Sequence, residues 1–252
     1  MKHYETLLKM GCFTWDELCE TLEKPCTASR IIQSYLKKGY IQNVKRGLYV
    51  AVNLSNNEPV VSKFHIAGRI TDNAYVSHHA AFEYYGYANQ VSYNVEVSSE
   101  TRFSPFEFNG NTYSYVTSRI PAGITTVNDV RITDKERTVL DGINDFEKVM
   151  GLEELLRCID MVSVLNEEKL LSYLGMFNKQ ALYQKTGYIL EHYKDSLGLS
   201  DNFFKQCENK VGKSKRYFNK YGQKYNAQWR LVVPENLMKV TQKGVFEVDV
   251  EI

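Results

Sequence analysis

The sequence predicts an α+β protein with a small helix-and-hairpin module first, a larger mixed α/β domain after it, and a mostly helical C-terminal part. Three observations carry this. The first fifty residues hold complete helix start and stop signals followed by two alternating strands; the middle interleaves strands with helices; and helical periodicity dominates from Gly151 onward.

In "FTWDELCETLE", Thr14 can cap a helix, Glu17 closes a capping box, and Phe13 with Leu18 is spaced as a hydrophobic staple, predicting a helix over Trp15 to Glu23. Before it, "HYETLLKM" reads as a short helix ended by Gly11. After it, Pro25 is expected to block continuation until Thr27 caps a third helix from Ala28 to Lys38. Ile31, Ile32, Tyr35 and Leu36 fall on one face of that helix, while Ser29, Arg30, Gln33 and Lys37 fall on the other. Gly39 stops it, and "YIQNV" and "LYVAV" alternate as strands around the turn "KRG".

Three helices and a hairpin follow the order of a winged helix-turn-helix, with a third helix suited to a major groove and a wing beside it. The charge distribution agrees. From Thr27 to Leu48 there are five cations and no acid; from Phe204 to Lys224 there are seven cations against Glu208. Against a formal total of +1, the rest of the chain therefore carries −10. Two concentrated basic segments on an acidic body suit local contact with a polyanion. Ser29, Arg30 and Gln33 are expected to face base edges, and Lys37, Lys38, Lys45 and Arg46 phosphates, with Thr27, Ser34, Asn43 and Tyr49 completing the DNA-facing set. Lys37 and Lys38 also suit the negative end of a helix dipole. The expected target is double-stranded operator DNA with inverted repeats, bound with self-association on the DNA.

"NLSNNEP", residues 53–59, reads as a linker, so the first domain is 1–52 and the second 60–252, with a mixed part over 60–148 and a mainly helical part over 149–252. "VSKFHIAGRI" and "SHHAAFEYYGY" read as helices, "VSYNVEVS", "FEFNG" and "TYSYVTS" as strands, and "TDKERTVLDGI" as a helix again. "QWRLVVP" and the alternating "VFEVDVEI" read as late strands. "KVGKSKRYFNKYGQK" interleaves Lys210, Lys213, Lys215, Arg216, Lys220 and Lys224 with Tyr217, Phe218 and Tyr221, an accessory basic surface able to stack on bases or clamp a backbone; such tyrosines also pack against cores.

The features suggesting other functions are weak. The five cysteines show no paired framework, and the seven-residue spacing of Cys12, Cys19 and Cys26 does not match the tight pairs of zinc sites. "VGKSK" lacks the upstream glycine of a phosphate loop, because position 207 is Cys207. His78 and His79 point to different sides of a helix behind a capping Ser77, and Glu247, Asp249 and Glu251 share a strand face that is read as solvated. Arg137 and Asp141 are spaced for a structural ion pair. No membrane span or signal peptide is legible, so a cytoplasmic protein without metal, cofactor or catalytic activity is expected.

"KKGYIQNVKRGLYVA", "ITDNAYVSHHAAFEYYGY", "DKERTVLDGI" and "WRLVVP", in this order, resemble the AbiEi antitoxin family, transcriptional regulators of bacterial abortive-infection toxin-antitoxin operons of type IV, which act in phage resistance. The resemblance implies an N-terminal winged helix that represses its own operon and a C-terminal domain that counteracts an AbiEii-type nucleotidyltransferase toxin. The alternative from the residues alone is a winged-helix regulator of other genes with a ligand- or partner-sensing C-terminal domain.

Overall fold

The structure is a computed structural model that describes residues 3–23, 25–219 and 222–234. It is a mixed α+β chain. The N-terminal part runs α1 (Tyr4–Met10), β1 (Cys12–Thr14), α2 (Trp15–Leu22), α3 (Pro25–Lys37), β2 (Ile41–Lys45), β3 (Leu48–Asn53) and β4 (Glu58–Pro59). Gly11 and Gly39 take positive φ of 65° and 70° at the ends of α1 and α3, as stop residues do. The capping box forms as expected: Thr14 Oγ1 accepts from the Glu17 amide at 3.3 Å, and the Glu17 carboxylate accepts from the Thr14 amide at 2.8 Å.

α3 starts earlier than expected. Pro25 occupies its first position, where a missing N–H costs nothing, so Thr27 lies inside the helix and does not cap it. β1, too short to show alternation, pairs antiparallel with β3, which also pairs with β2, giving the order β1-β3-β2. Residues 53–59 form a tight turn that returns the chain as β4 against β3. Leu7, Phe13, Leu18, Ala28, Ile31, Ile32, Tyr35, Ile41 and Ala51 form one buried cluster beneath these elements.

Next come α4 (Lys63–Ala67), β5 (Tyr75–Val76), α5 (His78–Tyr84), β6 (Asn94–Ser99), β7 (Phe106–Phe108), β8 (Asn111–Thr117), β9 (Ile124–Val127), β10 (Val130–Thr133) and α6 (Lys135–Asn144). The strands form a six-stranded sheet of order β7-β8-β6-β5-β10-β9, in which β6 and β8 run parallel. Both faces of β6 are covered, so Val95, Glu96, Val97, Ser98 and Ser99 are all buried despite their alternating polarity. Ser77 stands at the start of α5 without a side-chain capping bond; its Oγ lies 2.9 Å from His78 Nδ1, and His78 takes a φ of 51°.

The remainder is α7 (Leu152–Met161), α8 (Glu167–Phe177), α9 (Gln180–Leu190), α10 (Lys194–Leu197) and α11 (Asp201–Glu208), followed by β11 (Arg216–Tyr217), β12 (Lys224–Asn226) and β13 (Leu231–Val233) in a sheet of order β11-β13-β12. The sequence anticipated only β13 of these three. The strand expected at "VFEVDVEI", with Glu247, Asp249 and Glu251, lies outside the described residues. Trp229, fully buried, seats on α9 at Gly187, where a Cβ would come within 2.1 Å of the indole. Among the described residues no helix is long and apolar enough to cross a membrane.

The chain divides into two compact units, each assembled from several segments. The first comprises Met1–Val76, Tyr93–Ser118 and Thr126–Ile132; the second comprises Ser77–Ser92, Arg119–Thr125 and Thr133–Ile252. Within the second unit Arg137 forms the expected pair with Asp141, Nε to Oδ1 at 2.9 Å, and donates to the carbonyls of Ile120 and Ala122 at 3.0 and 2.6 Å.

Candidate nucleic-acid interface

α3 presents Arg30, Gln33 and Lys37 to solvent, with Lys38 exposed just past its end, while Ile31, Ile32 and Tyr35 face inward; Leu36, expected on the inward face, sits in the last turn and is 38% exposed. No hydrogen bond or ion pair engages the four polar side chains among the described residues. Thr27, Ser29 and Ser34 are half-buried. Ser29 is already engaged, its Oγ accepting from the Trp15 indole at 3.2 Å, which ties α2 to α3.

The β2–β3 turn separates its two cations. Gly47 takes a φ of 81°, and the pairing shifts register between Asn43 and Lys45. Turned so that its nitrogen faces the carbonyls of Lys45 and Leu48, at 2.5 and 3.3 Å, the Asn43 amide donates to both and holds the bulge. Tyr49 stacks on Phe13 with ring centres 6.0 Å apart. Lys45 bends inward, donating to the Ile70 carbonyl at 2.7 Å and lying 5.8 Å over the Phe103 ring. Burial lowers the pKa of Lys45 from its ordinary value. Arg46 alone stays exposed at the tip.

The expected set therefore splits. Arg30, Gln33, Lys37, Lys38 and Arg46 are exposed and available, whereas Ser29, Asn43, Lys45 and Tyr49 are engaged in building the module. Lys45 was expected on phosphate, but its reach to Ile70 comes from a partner 25 residues away that no local pattern reveals. Sequence reasoning missed Arg102, exposed beside the Phe103 that Lys45 covers. The segment "TRFSP" holds a cation without an acid, a signal too short to stand alone.

Beside α2, a cavity of about 450 Å³ is lined by residues including Lys9, Cys12, Glu17, His65, Arg69 and Asp129. Burial would raise the Glu17 carboxyl, but the Arg69 guanidinium and the Thr14 bonds hold it below its ordinary value. Burial pushes the Cys12 thiol up to about 12.

In the second unit, Lys210, Lys213, Lys215, Arg216 and Lys224 are exposed, whereas Lys220 lies outside the described residues. The aromatics of this segment do not act together. Tyr217 is exposed, Phe218 is buried at 2% and stacks on Phe146, and Tyr221 lies outside the described residues.

No protein-family model and no curated protein sequence matches the chain. Among solved structures it is similar to the crystal structure of the RV2827C protein from Mycobacterium tuberculosis, with a TM-score of 0.64 over 95% of this chain and 92% of that one. At 12% identity the likeness is one of fold alone.

Proposed function

We propose that the chain is a non-enzymatic, cytoplasmic DNA-binding regulator whose N-terminal elements act as a winged helix-turn-helix, with α3 in the major groove and the β2–β3 turn as the wing. The observation that carries this reading is the set Arg30, Gln33, Lys37, Lys38 and Arg46, four exposed cations and one exposed amide with no acid among them and no partner among the described residues. The β1-β3-β2 order supports it, because a strand between the first two helices completes the wing sheet. Lys37, Lys38 and Arg46 then contact phosphates, and Arg30 and Gln33 read bases. The resemblance to AbiEi antitoxins extends the proposal: the chain represses its own operon at inverted repeats and opposes a nucleotidyltransferase toxin through its second unit. Anisotropy titration of the full chain with the DNA upstream of its own gene and with shuffled DNA tests the first part; equal affinity for both would refute operator recognition. Coexpression with the neighbouring reading frame tests the second, and unrelieved growth arrest would refute the antitoxin role.

A second reading, a regulator of other genes that responds to a small ligand, is favoured by one observation, the cavity beside α2.

A further inference from the structure

The exposed face of the β11-β13-β12 sheet has an organisation that operator binding by α3 does not use. Tyr217 and Tyr225 both pair with Val232 of the central strand, so their side chains stand on the same face, two strand spacings or about 10 Å apart. They are 61% and 49% exposed, so about half or more of each ring is open to solvent. The Lys215 ammonium lies over both rings, 5.4 Å from one centre and 5.7 Å from the other. From Lys210 to Asn226 the described residues include five cations and no carboxylate.

A concavity opens at the edge of the same platform. It has a volume of about 260 Å³, and its lining includes Tyr188, Glu191, His192, Tyr225 and Asn226. Pockets for drug-sized ligands run to roughly 300–1,000 Å³, so this space suits a smaller group. Three rings line it, Tyr188, His192 and Tyr225, together with the Lys224 side chain, and Tyr188 and His192 are in edge contact at 5.3 Å. Its polar groups are held in place. Glu191 accepts from the Trp229 indole at 2.9 Å and from Gln228 at 3.2 Å, leaving carboxylate lone pairs over. His192 Nδ1 donates to the Tyr188 carbonyl at 2.8 Å, which leaves Nε2 as an acceptor in the neutral ring.

We infer that this platform and its concavity form a second nucleic-acid site, specific for single-stranded polynucleotide. Exposed aromatic faces stack on unpaired bases, and surrounding cations follow the backbone, the combination that single-strand binders use. A duplex offers no free base face to either tyrosine, so this site differs in kind from the proposed operator surface. Lys215 covers the rings in the free protein; an incoming base takes its place on a ring and the ammonium moves to a phosphate. The concavity takes one base. Because Glu191 and His192 present acceptors, it favours bases with an exocyclic amine, adenine and cytosine among them, over uracil or thymine, whose single donor, N3–H, lies between two carbonyl oxygens.

The test uses the full chain and short labelled oligo(A), oligo(C) and oligo(U), each as RNA and, with oligo(dT) for oligo(U), as DNA, read by anisotropy between about 50 and 200 mM salt. Salt-sensitive binding that prefers A and C is expected, and the RNA and DNA arms identify the source of the strand. Tyr217→Ala and Tyr225→Ala should each weaken binding about tenfold, whereas Tyr225→Phe, which keeps the ring, should not. Glu191→Gln keeps an acceptor for Trp229 and should erase the base preference while leaving the melting temperature in place. Absence of single-strand binding by the wild-type chain, or affinity unchanged in both alanine variants, overturns the inference. Duplex operator binding by the same variants should be unaltered, so failure here is distinguishable from failure of the operator reading.

Discussion

The Lys45 ammonium donates to the carbonyl of Ile70 at 2.7 Å, which fastens the β2–β3 turn to the chain that follows α4. Of the two cations at that turn, only Arg46 is exposed, so the proposed phosphate contact falls to it alone. Arg46→Ala should therefore lower the slope of log affinity against log salt by about one charge and weaken all DNA alike. Lys45→Ala should leave the slope nearly intact and instead destabilise the fold by about 1.5 kcal/mol, the lower end for a hydrogen bond from a charged donor, because Lys45 is only half-buried. Salt titrations and urea melts of the two variants separate the effects; a full unit of slope lost with Lys45→Ala would return it to the DNA.

In the proposed operator complex, Arg30 and Gln33 contribute through specificity. Replacing either by alanine should cost about 1–3 kcal/mol on operator DNA and much less on shuffled DNA. Competition binding measures the ratio, and equal losses on both sequences would show that the reading face lies elsewhere.

Arg137 and Asp141 are each about 1–2% exposed, so breaking their pair strands a charge in the second unit. Asp141→Asn should cost about 3–5 kcal/mol in urea unfolding, because the guanidinium remains buried without its counter-charge. A loss below about 1 kcal/mol would mean that the Ile120 and Ala122 carbonyls suffice to hold it.

A chain beginning at Val60 removes most of the N-terminal part of the first unit, whose remaining segments reach residue 132. The sequence sets a second domain at 60–252, whereas the contact pattern leads to the expectation that this fragment leaves the first unit partly unfolded, with rapid proteolysis within 60–76 and 93–118. Protection of those segments equal to that in the full chain would restore the linker boundary.

Burial pushes both the Cys12 and Cys207 thiols from 9.0 up to about 12. A raised folded pKa stabilises the fold fully below pH 9.0, and that contribution is lost as pH rises toward about 12, because the unfolded chain ionises first. Urea midpoints should thus fall across this window, and Cys12→Ala should flatten the fall. At pH 8 neither thiol should react with an alkylating reagent until the chain unfolds, as peptide mapping can check.

The N-terminal module was legible because its signals are local. The Thr14–Glu17 box and the stops at Gly11 and Gly39 depend on bonds that span only a few residues, so quoting the residues nearly states the structure. The α+β class and the helices beyond Gly151 followed from periodicity for the same reason. Tertiary structure decided what periodicity cannot encode. Three-residue β1 exists because β3 lies beside it, and β6 is buried on both faces because other elements cover them, whatever its own alternation says. The free cations were likewise settled at long range: Lys45 and Arg46 are adjacent in the chain, yet one reaches Ile70 and the other reaches water. Tyr217 and Tyr225 became a pair only when Val232 came between them, since strand pairing aligns residues by register and not by distance along the chain.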